Sequence, residues 1–125
     1  MVFDDPVKII CDHLQGTPEL SGVPAFSKVP DPRPPKLIRA SLTGSRRRSL
    51  IHRDARVTVE CWAPTDTEAY RLGAQVEDAL SELNTNWAFV PGGDGGWVGG
   101  PAELPDPDSG TPRVVMTVNL RQRSH

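Results

Sequence analysis

Proline decides where this chain can be regular. Of 125 residues, 13 are proline and 11 are glycine, and they cluster between Gly16 and Pro35 and between Pro91 and Pro112. Proline offers no backbone N–H and holds φ fixed, so it interrupts helices and central strands alike. Regular elements are therefore expected before Gly16, between Lys36 and Val90, and after Pro112. One domain, residues 1–125, fits this length. With 37% hydrophobic residues, its core must be small.

The first window reads as a helix. Asp5 can cap it, Pro6 suits the first helical position, and Val7, Ile10, Cys11 and Leu14 form one apolar stripe. Gly16 is expected to end it in a left-handed conformation. Prolines 24, 30, 32, 34 and 35 then leave room for no more than a short edge strand near Ala25–Val29.

Two alternating runs follow. Ile38, Ala40 and Leu42 oppose Leu37, Arg39, Ser41 and Thr43, while Val57, Val59 and Cys61 oppose Arg56, Thr58, Glu60 and Trp62. Between them Thr43-Gly44-Ser45 opens a polar loop carrying Arg46-Arg47-Arg48. The pattern predicts a long β-hairpin with an arginine-rich tip. Pro64 ends the second run, and Thr65 with Glu68 spells a capping box, the hydroxyl taking one amide and the carboxylate returning to another. The helix stripe is Ala69, Leu72, Val76, Ala79, Leu80 and Leu83, which leaves Glu77, Asp78 and Glu82 on the wet face, and Asn84–Asn86 stops the helix.

Trp87–Val90 is a short apolar run, Gly92–Gly96 a flexible loop, and Trp97–Leu104 a weak strand interrupted at Gly99-Gly100-Pro101. Turn chemistry fills Pro105–Gly110. The last run alternates best: Val114, Met116, Val118 and Leu120 against Val115, Thr117, Asn119, Arg121 and Arg123. The expected fold is α+β, an antiparallel β-sheet with two helices on one face, a long hairpin and a Gly/Pro-rich loop. The second sheet face, with Arg39, Thr43, Arg56, Thr58, Thr117, Asn119 and Arg121, reads as polar and open to a channel or a partner.

Charge is sorted along the chain. Arg33 to Arg56 holds eight Lys/Arg against Asp54 alone, and Glu60 to Asp108 holds ten Asp/Glu against Arg71 alone. The net charge of -2 conceals this. One basic and one acidic region suit head-to-tail contact between copies, which closes into a ring when the rotation allows. The alternative is two solvated faces of a monomer. The residues expected at such an interface are Arg46, Arg47, Arg48 and Arg121 on the basic side, Glu77, Asp78 and Glu82 on the acidic side, and Trp62 and Trp97. At least one of Trp62 on its strand and Trp87 and Trp97 in loops is expected to meet another chain; the alternative is packing of loops over the core.

No catalytic constellation is visible. His13, His52 and His125 are scattered, and neither a zinc-ligand spacing nor a nucleophile elbow is present. Gly92–Gly96 lacks the Lys-Ser/Thr of a phosphate loop, and Asp94, Asp106 and Asp108 do not match a calcium loop. No cofactor or metal is expected. Cys11 and Cys61 fall at apolar positions and read as small buried hydrophobes. The N-terminus Met-Val-Phe-Asp-Asp-Pro has no basic or apolar leader, and no apolar run approaches the ~20 residues of a membrane span. A soluble protein made in a reducing cytoplasm is expected, with no membrane partner. The arginine triplet could touch phosphates, yet a pI near 5.9 without interleaved aromatics argues against sequence-reading nucleic-acid binding.

The run ARVTVECWAPTDTEAYRLGAQVEDAL, Ala55 to Leu80, resembles the strand–helix core of tail terminator (tail completion) proteins of long-tailed bacteriophages, particularly those infecting actinobacteria. Val29–Ile38 with Thr43-Gly44, and Leu104–Arg113, fit the same pattern, so the resemblance runs from about Val29 to Arg123. It implies a structural virion protein at the tail–neck junction, a hexameric ring that caps the tail tube and stops its polymerisation. Its implied partners are itself, the major tail tube protein and a head-closure or connector protein, with DNA passing through the lumen unread. The resemblance implies no catalytic residues. A head-closure (stopper) protein is the nearest alternative within the same assembly. A small nucleic-acid-binding module using Arg46–Arg48 and a small enzyme with a cryptic site are the others.

Overall fold

The structure, a computed structural model, describes residues 3–28, 32, 34–82, 87–89 and 99–124. Helix α1 spans Pro6–Gln15. The Asp5 carboxylate accepts from the amides of Val7 and Lys8 at 3.0 and 3.4 Å, which satisfies two donors that a helix start leaves open. Ile10, Cys11 and Leu14 are buried, as their spacing predicts. The helix ends differently from expectation. Gly16 stays right-handed (φ -83) and its N–H bonds the Asp12 carbonyl at 3.0 Å, while Thr17 Oγ1 donates to the His13 carbonyl at 2.9 Å. The last carbonyls are thus served without a left-handed residue. A 3₁₀ turn at Pro18–Leu20 follows, and positive φ appears at Gly22.

Strands β1 (Ala25–Phe26), β2 (Leu37–Arg47), β3 (His52–Trp62), β4 (Trp87–Phe89), β5 (Gly99–Glu103) and β6 (Arg113–Arg123) form one sheet. Its order is β1-β2-β3-β6-β4, with β5 also paired to β6. The pairing is antiparallel except for the two-residue β1, which runs parallel to β2. Helix α2 (Asp66–Ser81) connects β3 to β4, which run the same way with β6 between them, a split βαβ arrangement. The Thr65 hydroxyl accepts from the Glu68 amide at 3.2 Å but also donates to the Glu68 carboxylate at 3.2 Å. The capping box is therefore closed between side chains, not by the carboxylate returning to the cap amide.

Both helices cover one sheet face. Ile10, Leu14, Ile38, Val59, Cys61, Val76, Leu80, Met116 and Val118 form one core with them. At Gly73 helix α2 lies directly against β6: a Cβ there would stand 2.7 Å from Val114 Cγ1. Both cysteines are free and buried, so neither forms a disulfide. Burial pushes both thiols up, Cys61 the further.

The hairpin is more regular than the sequence predicts. Thr43–Ala55 reads as a loop, yet β2 and β3 stay paired to Arg47↔Arg53, and only residues 48–51 turn. The reason is β6. It pairs with β3 along the whole length, from Trp62↔Arg113 to His52↔Arg123, and so holds β3 extended where its own apolar alternation has ceased. One register shift between Leu42 and Gly44 absorbs the irregularity. The expected left-over loop Gly92–Gly96, Trp97, and the helix-stop residues 83–86 lie outside the described residues.

Candidate functional site: an arginine-lined cavity at the hairpin root

Strand alternation splits the arginine triplet. Arg46 stands opposite Asp54, which stands opposite Arg121, so all three belong to the sheet face away from the helices. Arg47 and its opposite Arg53 belong to the helix face. There both guanidiniums stack on the Phe3 ring, 5.0 and 4.9 Å from its centroid. Buried Gln122 locks this side. Its Oε1 accepts from Arg53 Nε and Nη2 at 2.9 and 2.6 Å, and its Nε2 donates to the Asp4 carbonyl at 2.7 Å. The N-terminal segment is thus stitched to the hairpin root. Sequence reading missed this clasp. The placement of Phe3 among acids, ahead of the helix cap, carries no periodic signal, and Gln122 looks like any polar strand residue.

On the far face Asp54 is 8% exposed and binds two guanidiniums. Arg48 Nη1 donates at 2.8 Å, and Arg121 forks onto both oxygens at 2.9 and 3.3 Å. Burial alone would push the Asp54 carboxyl up, but these two arginines outweigh it and hold it below the ordinary value. Beside this cluster Thr43, Gly44, Ser45, Arg46, Arg48, Asp54, Arg56 and Asn119 line a cavity of about 300 Å³. Among the described residues no carboxylate lies within 4.0 Å of Arg46 or Arg56. Asp54, in register with Arg46, is already shared by the other two.

Further along the same face the sheet covers itself. Glu60 accepts from Arg39 at 3.1 Å and Arg113 at 2.9 Å, and Thr58 bonds Thr43 and Thr117. The face is polar, as the alternation predicts, but largely self-paired, and among the described residues its hairpin end borders an open cavity. Trp62 is 3% exposed. Its Nε1 donates to Asp106 Oδ2 at 3.3 Å and the Arg113 guanidinium lies 5.7 Å from its ring. The 104–112 turn folds over it, so Trp62 packs within its own chain and offers no surface to a partner. The same turn draws the Asp106 carboxyl below its ordinary value, chiefly through the Asp108 amide.

The acidic candidates lie elsewhere. Glu77 is half-buried, while Asp78 and Glu82 are exposed on α2. With Glu19 of the 3₁₀ turn, Asp78 and Glu82 border a cleft of about 70 Å³ that also holds Thr17 and Gln75. Helix α1 separates this cleft from the hairpin. The Asp4 carbonyl, just ahead of α1, binds Arg53 and Gln122 at the hairpin root. His13, in its last turn, donates from Nε2 to the Ala79 carbonyl of α2 at 2.6 Å. The eight helical residues from Pro6 to His13 put about 12 Å between those anchors. Arg39–Glu60 and Lys36–Glu68 pair the two charged regions nearer the helix-α2 start, but the hairpin end and this cleft stay apart within one chain.

Residues 42–50 are all exposed, and at the turn Leu50 is 75% exposed. Beyond Arg39, β2 has no strand on its outer edge among the described residues. Compared with known families and with curated proteins, the chain matches no family and no curated sequence.

Proposed function

We propose that this chain is a non-catalytic, ring-forming structural protein of the tail-terminator kind, acting at the tail–neck junction of a long-tailed bacteriophage. The observation that supports it is the separation of charge: an exposed hairpin end with arginines and Leu50, and an acidic cleft of Glu19, Asp78 and Glu82 across the length of α1. Two unlike patches on one rigid body favour heterologous contact, in which the hairpin of one copy meets the α2 cleft of the next. Opposite charge sets register and encounter rate, and an apolar tip adds the area that charge alone does not supply. The ring number of six, the tube and head-closure partners, and DNA passage through the lumen come from the resemblance of Ala55–Leu80 to that family.

The test changes charge, but not across the whole triplet. Replacing Arg48 by Glu would set a carboxylate against Asp54 and perturb the monomer itself. Arg46→Gln with Leu50→Asp removes the Arg46 charge and the apolar tip without setting a carboxylate opposite Asp54. That pair, or Asp78→Lys with Glu82→Lys, is expected to abolish ring formation, read as mass in solution and in isolated tails. Wild-type mass from both variants, with wild-type circular dichroism, would overturn the reading.

A further inference from the structure

We propose that the cavity at the hairpin root is an oxyanion site that takes a phosphate group. Its walls hold three arginines, Arg46, Arg48 and Arg56, against one aspartate. Of these three, the Asp54 carboxylate pairs with Arg48 alone, and it is shared with Arg121. Arg46 and Arg56 thus face a concave space with no carboxylate within 4.0 Å among the described residues. The lining carries two more positive charges than negative ones, which matches a dianion. Guanidinium forks pair with phosphate oxygens in a planar, two-point geometry that chloride cannot reproduce.

The remaining lining is chemically suited. Asn119 is 8% exposed and offers an amide N–H₂ donor at the cavity wall. The Thr43 hydroxyl donates to the Arg56 carbonyl at 3.3 Å, tying β2 to β3 beside the register shift. That shift is what builds the site. Without it, strict alternation from Leu42 would put Arg47, not Arg46 and Arg48, on the same face as Arg56 and Asn119. At about 300 Å³ the cavity sits at the small end of ligand pockets, large enough for a phosphate and part of what it is attached to. The proposal does not rest on ring formation.

The experiment is titration of the full chain with sodium phosphate against sodium chloride at equal ionic strength, followed by calorimetry and by the Asn119 side-chain amide resonances. Saturable binding of inorganic phosphate is expected, with displaced Asn119 signals and no chloride response. Arg56→Gln should weaken it by about tenfold or more, as loss of a charge-assisted hydrogen bond does, while Arg47→Gln, stacked on Phe3 on the opposite face, should leave it unchanged. Arg56 is exposed and outside the hairpin turn, so its variant tests this site apart from subunit docking. A short DNA duplex that competes with phosphate identifies a phosphodiester backbone as the source, and one that does not identifies a free or monoester phosphate; either result supports the site. No phosphate response beyond chloride, or equal loss in Arg47→Gln and Arg56→Gln, would overturn it.

Discussion

Replacing Gly73 by alanine sets two effects of known sign against each other. In a helix interior alanine is favoured over glycine by ~0.8–1.0 kcal/mol. Here, however, the new Cβ would lie 2.7 Å from Val114 Cγ1, 3.3 Å from Val114 Cβ and 3.7 Å from Met116 Cε. Val114 is a buried β-branched residue in β6, so its χ1 cannot swing clear. The helix must lift from the sheet instead, and overpacking of this kind costs ~1–3 kcal/mol. The net expectation is destabilisation of about 1 kcal/mol, within a range of ~0–2. A double-mutant cycle with Val114→Ala isolates the cause. Removing Cγ1 leaves only the 3.3 Å approach to Cβ, which a shift of a few tenths of an ångström relieves. In that background Gly73→Ala should stabilise by up to ~1 kcal/mol. The assay is urea unfolding followed by far-UV circular dichroism, comparing midpoints at unchanged slope. A Gly73→Ala protein more stable than wild type, or an effect of the same sign in both backgrounds, would refute the close-approach argument.

Asp54, held below its ordinary carboxyl value of 3.8 in the fold, adds stability that is complete above that value and is lost as pH falls through the lowered native one. Asp54→Asn should therefore flatten the decline in unfolding midpoint from about pH 5 downward; an unchanged acid limb would count against the Arg48–Asp54–Arg121 cluster. Gln122→Met keeps the volume but removes the hydrogen bonds to Arg53 and the Asp4 carbonyl, which still bond each other, and it should cost ~0.5–1.5 kcal/mol. A cost below ~0.5 kcal/mol, the floor for a typical hydrogen bond, would show that the N-terminal clasp adds little. Burial raises the Cys61 thiol, so a thiol reagent should label it only as fast as the chain unfolds globally. Rapid labelling of the native protein would contradict its place in the core.

What the residues settled alone were the elements whose signal is local. Asp5-Pro6 and Thr65 placed two helix starts, and alternation in Val57–Cys61 and Val114–Leu120 placed the central strands and their buried face. These follow from side-chain period and capping chemistry, which act within a few residues. The arginine-rich tip and the acidic helix face were legible as composition, but their arrangement was not. Where the apolar alternation stops, at Thr43–Ala55, nothing local chooses between strand and loop, and β6 makes the choice by pairing with β3 to its end. That pairing, with one register shift, sends Arg46 and Arg48 to the cavity and Arg47 to Phe3. It also supplies Asp54 with Arg121, 67 residues distant in sequence, and the 104–112 turn supplies Trp62 with Asp106, 44 residues distant. Contacts of that range leave no periodic trace along the chain, so only the folded sheet determines which arginines remain available for a ligand and which are already bound.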